Sequence, residues 1–168
     1  MNILTNDVIF QEWGEKADEN IHSGISLCKD RPCCPGCILI WLGIEQMIKL
    51  VIIGNGIRLG TYVIDDKEDV LDRIDGIAKS ITKNKHGLPP LLKGLSGVVD
   101  LSAKEVDVLN NINAMFERRY LKYDYAVIRS DLIDSVKKTR VQLRAWLSNN
   151  GFRIDSCYEK SISTGNSG

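Results

Sequence analysis

The sequence predicts an all-α protein, a compact and mainly antiparallel bundle of about five helices. Three observations lead there. Apolar residues recur at the i, i+3, i+4, i+7 spacing of a helix face over most of the chain. Start and stop signals bracket those stretches. Alternating runs are scarce, and Gly60-Thr-Tyr-Val-Ile64 is too short and isolated to make a sheet.

The first helix is expected over about Val8–Leu27, because Trp13, Ala17, Ile21 and Ile25 fall on one stripe. Two prolines and a glycine between residues 29 and 36 end it. A second helix follows from about Cys37 to Leu50 or beyond. Its Ile40, Leu42, Ile44, Met47, Ile48 and Val51 cover most of the circumference, which places it at the centre of the domain. Gly54, Gly56 and Gly60 leave its end open. Asp65-Asp66 starts a third helix that carries Val70, Leu71, Ile74, Ile77, Ala78 and Ile81 to about Lys83. Acids at its start and lysines at its end suit the helix dipole. After the His86-Gly-Leu-Pro-Pro break, residues 91–95 are expected to form one helical turn. Ser102 and Glu105 spell a capping box for a fourth helix that reaches about Tyr120 and buries Val106, Leu109, Ile112 and Phe116. Ser130 or Asp131 caps a fifth, with Leu132, Ile133, Val136, Val141, Leu143 and Leu147 inward and Gly151 as its stop.

Composition limits the function classes. The 168 residues suggest one domain over 1–158 with a polar tail over 159–168. Lys and Arg total 22, as do Asp and Glu, which excludes a polycationic protein. The charges are separated along the chain, however. Residues 1–75 hold 7 basic and 13 acidic side chains (net −6), and residues 118–153 hold 9 and 3 (net +6). Such separation can orient a partner or a polyanion, or pair two copies head to tail. The N-terminus has no apolar leader, and the apolar run 38–53 is interrupted by Glu45, Gln46 and Lys49. With five cysteines, an odd number, the chain reads as a cytoplasmic protein with no membrane partner.

Three segments carry a family likeness. Ile44-Glu-Gln-Met-Ile-Lys-Leu50 is an apolar helix with an embedded Glu-Gln and a Lys. Lys85-His86-Gly-Leu-Pro-Pro-Leu-Leu92 follows as a connector. Asp100-Leu-Ser-Ala-Lys-Glu105 then opens a helix ending Phe116-Glu-Arg-Arg119-Tyr120. Over residues 40–125 this order resembles the HEPN superfamily of helical domains, found in nucleotidyltransferase partners, toxins and defence ribonucleases. The resemblance implies a helical bundle, pairing into a homodimer, a nucleotidyltransferase-type partner protein or RNA as ligand, and a toxin–antitoxin or phage-defence setting. It implies no cofactor.

One departure stands out. Ribonuclease members carry an Arg followed four to six residues later by a His. This chain has only His22 and His86, and Arg118-x4-Tyr123-x-Tyr125 fits the related Arg-x4-His-x-Tyr pattern except at the His. A phenol titrates at about pH 10 and replaces an imidazole poorly as a proton carrier near neutrality. The expectation is a catalytically degenerate protein that binds a partner protein or RNA. The alternatives are a metal-independent endoribonuclease with a rearranged site and a plain protein–protein adaptor. Arg118, Arg119, Tyr125 and His86 are the candidates for any residual chemistry. His86 has no carboxylate or cysteine partner nearby in sequence, which favours a structural role such as capping.

For contact with RNA or a partner, the candidates are Arg118, Arg119, Lys122, Lys137, Arg140 and Arg144. Lys137, Arg140 and Arg144 share one helical face, and Tyr120, Tyr123 and Tyr125 lie near the arginines. The plainer account of such a run is a solvated, salt-bridged face. Cys28, Cys33, Cys34 and Cys37 lie within ten residues without a second metal knuckle, so they read as loop thiols, with a metal site as the alternative. Gly54-x-Gly56-x-x-x-Gly60 has neither phosphate-loop spacing and follows a helix, so it reads as a helix end.

Overall fold

The structure is a computed structural model, and it describes residues 3–29, 34–63, 70–83, 86–118 and 131–154. Among these residues there are six helices and no strand. They are α1 (Ile3–Leu27), α2 (Cys34–Arg58), α3 (Val70–Ile81), α4 (Leu88–Leu95), α5 (Ala103–Glu117) and α6 (Leu132–Asn149). The sixth is the segment expected as one turn at 91–95. It becomes an eight-residue helix because Pro89 and Pro90 fall in its first turn, where a missing N–H costs nothing.

Helix α2 packs against every other helix. Trp41, Ile44, Met47, Ile48, Leu50 and Val51 are fully buried, each side chain contributing about 1.5–3 kcal/mol of apolar burial. By length and composition alone its residues 35–58 could cross a membrane, but 72 % of that apolar window is buried within the bundle. It continues through Gly54 and Gly56 and ends at Arg58, which fixes the end that the sequence leaves open. The ring of Phe152 lies against Gly54 and that of Tyr62 against Gly56, so side chains from elsewhere cover the helix where it has none.

Helices α1 and α2 run antiparallel in close contact. Gly24 faces Gly36 and Ile40, and Gly43 faces Ala17 and Ile21. Pro35 and Gly36 belong to the first turn of α2 and not to the preceding loop. On α5, the Ser102–Glu105 capping box forms in both directions, a device worth about 1 kcal/mol. At the start of α6, Asp131 occupies the N-cap without a capping side-chain bond and instead pairs with Lys104 at 3.2 Å. Ser130 lies outside the described residues.

Two expected core positions differ. Val141 is 58 % exposed on α6. Val106 is half-buried while Val108 takes the inward place. Beyond α6, Gly151 adopts φ +88°, which an L side chain resists, and turns the chain back. Phe152 then stacks on Phe10, with centroids 4.5 Å apart, and Ile154 packs against Gly14.

The helix contacts yield a paired test. A Cβ at Gly43 would lie 2.4 Å from the Ala17 carbonyl oxygen, so Gly43→Ala forces α1 from α2. A loss of about 1–3 kcal/mol is expected from urea unfolding. At Gly76, exposed in α3 with nothing within 4 Å, Gly→Ala is expected to gain about 0.5–1 kcal/mol.

Candidate functional site

Of the three carboxylates buried among the described residues, Glu105 serves the capping box of α5 and the other two organise the polar chemistry. The first is Glu45, on α2 among fully buried Trp41, Ile44 and Ile48, and itself only 3 % exposed. A lone carboxylate there would be costly, and two side chains pair with it. Lys49, one turn on, brings Nζ to 2.7 Å of Oε1. His86, directly before α4, places Nδ1 2.8 Å from Oε2. The pairing of His86 and Glu45 spans 41 residues of sequence, and nothing near His86 in the chain signals it.

The imidazole is also packed. Its ring meets Phe116 of α5 edge-on at 5.2 Å, and Phe116 in turn lies 6.4 Å from the Trp41 ring. His86 is therefore fixed on a wall made by α2 and α5, yet its side chain remains 52 % exposed. Arg118, exposed at the C-cap of α5, follows Phe116 by two residues. The fold thus brings His86 to the end of α5 that carries Arg118. Arg119, Lys122 and Tyr125 lie outside the described residues.

The second carboxylate is Asp18 of α1, 1 % exposed. Arg140 grips it through Nε at 2.5 Å and a terminal nitrogen at 2.8 Å. Arg144 adds a contact at 3.7 Å and donates to the Ile154 carbonyl at 3.1 Å. This geometry corrects the expectation for α6. Lys137, Arg140 and Arg144 share a face, but both arginines turn inward onto Asp18 and the C-terminal segment. Only Lys137 and its neighbour Lys138 stay exposed. The stems of Arg140 and Arg144 line a surface groove of about 220 Å³ with Val141, Ala145, Ser148 and Ile154.

Cys28 and Cys37 are both buried, Cys28 at the end of α1 against Gly36 and Cys37 in α2. They are helix-end core residues and not loop thiols. Cys33 and the side chain of Cys34 lie outside the described residues. Among the described residues, no three His, Cys, Asp or Glu side chains group closely enough to hold a metal ion.

Glu45 and Asp18 are the residues the sequence reading missed. Each had a signal: an acid on an otherwise apolar stripe, Asp18 beside Ala17 and Ile21, and Glu45 within the most apolar helix. No family model, curated protein or solved structure matches this chain.

Arg140 and Lys137 are expected to separate experimentally. Arg140→Met strips the buried Asp18 of its bidentate partner and should cost about 3 kcal/mol in urea unfolding. Lys137→Met, on the solvent side, should stay within about 0.5 kcal/mol of the parent.

Proposed function

We propose that this chain is a HEPN-like helical protein that acts by binding, with RNA or a partner protein as its ligand, in a toxin–antitoxin or phage-defence setting. The observation that carries this reading is the Glu45–His86 contact. It joins two of the segments that bear the resemblance, the central helix and the connector, and sets them beside the end of α5 where Arg118 is exposed. That end of the bundle, more than the α6 face, is where the ligand is expected to sit. Pairing of two copies and a nucleotidyltransferase-type partner belong to the same proposal.

A second reading, a metal-independent endoribonuclease with a rearranged site, gains from one feature. Its imidazole is oriented by a buried carboxylate, as a general base requires. The binding reading is preferred because neither His22 nor His86 follows an Arg by four to six residues, the pattern that the ribonuclease members carry.

Anisotropy titration of a fluorescent single-stranded RNA against salt tests the proposal. For the RNA version, log affinity falls linearly with log salt, by about 0.7 per phosphate contact. Arg118→Ala is expected to lower affinity and remove about one contact from the slope. Absence of affinity at low ionic strength would leave a partner protein as the ligand. Cleavage of the RNA without metal, lost in His86→Ala, would select the endoribonuclease.

A further inference from the structure

His86 is held at one nitrogen and open at the other. A carboxylate only accepts, so Nδ1 at 2.8 Å from Glu45 Oε2 must carry the proton. In the neutral ring the lone pair is then on Nε2, at the opposite edge. Glu45 is almost wholly buried while His86 is half exposed, and among the described residues Nε2 has no hydrogen-bond partner. The carboxylate cannot swing away, since Lys49 holds its other oxygen and α2 is buried around it. Phe116 fixes the plane of the ring.

A histidine fixed in position and tautomer, with Nε2 unpartnered among the described residues, is built as a nucleophile. The charges indicate which group it would accept. Attack by Nε2 while Nδ1 keeps its proton leaves the ring positive, facing the Glu45 carboxylate. An incoming dianionic group then gains from the positive ring, with the Lys49 ammonium flanking the same carboxylate and Arg118 at the adjoining helix end.

We propose that His86 Nε2 is a phosphoryl-acceptor site, taking a phosphoryl group from small donors of the phosphoramidate or acyl-phosphate class. The Nε2 lone pair forms the N–P bond. The donor's own P–N bond, its nitrogen already protonated in the zwitterionic phosphoramidate, or its P–O bond breaks, and the electron pair leaves with ammonia or a carboxylate. The Nδ1 proton stays in its hydrogen bond to Glu45, which is a positioning residue here. The inference goes beyond the binding reading and does not depend on it.

The test is incubation of the full chain with potassium phosphoramidate. The expected product gains one phosphoryl group, is stable in alkali and lost in acid, and maps to His86 in preference to His22, which is exposed on α1. His86→Ala removes it. Glu45→Gln, checked for folding by circular dichroism, slows it by about tenfold or more. Labelling of His22 as fast as His86, or an unchanged rate in folded Glu45→Gln, would overturn the proposal. Nitrogen-15 spectra of the unmodified protein give a second check that needs no variant. The Nδ1–H tautomer is expected at His86, and finding the proton of the neutral ring on Nε2 would equally overturn it.

Discussion

A helix that is apolar on every side must be covered on every side, and α2 imposes that demand on the rest of the chain. It cannot lie on a surface, so five other helices are distributed around it. The closeness of α1 follows from the same demand. Glycines at 24, 36 and 43 let the two longest helices approach backbone to backbone, where a Cβ would meet the facing helix. The rings of Phe152 and Tyr62 complete the cover where α2 has glycines in place of side chains.

Burial on all sides also decides the fate of the charges. Glu45 cannot reach solvent from α2, and Asp18 cannot reach it from the packed face of α1. Taking a carboxylate from water costs several kcal/mol even after the surroundings relax, and one exposed partner does not return that. Each therefore has at least two cationic or ionisable partners, and in each case at least one comes from a distant part of the chain. Such pairs add little net stability compared with apolar packing. Their larger effect is on register, because only one arrangement of α1 against α6, or of the α4 connector against α2, satisfies them.

Local signals in the sequence were read well, and long-range ones were not. The capping box at Ser102, the apolar circumference of α2 and the stop at Gly151 depend on residues a few positions apart, and all are present in the structure. Val141 turned outward because an apolar residue near the edge of a stripe can fall on either side, and neighbours from other helices decide which. At the end of α2, the ring that lies over Gly54 comes from Phe152, beyond α6, a contact that no local pattern announces. His86 looked solitary because its carboxylate is 41 residues away. For the candidate site, the histidine was legible as a residue but its orientation was not.

The basic segment over 118–153 shows why net charge along a sequence is a weak guide to a binding face. A stretch with net +6 has that potential only where its cations face the solvent around a ligand. The two arginines at i and i+4 on α6 are the most regular part of the pattern, and they neutralise an acid from the acidic half of the chain. The charge asymmetry between the two halves is therefore used, in part, within one molecule. The Asp18–Arg140 pair bridges α1 and α6. Among the described residues the exposed cations of this segment are Arg118, Lys137, Lys138 and Arg153, and the end of α5 that carries Arg118 adjoins an imidazole held by a buried carboxylate. A fold of this kind does not by itself define an activity. The few polar groups that the core fixes and yet leaves open to solvent are where its chemistry has to be sought.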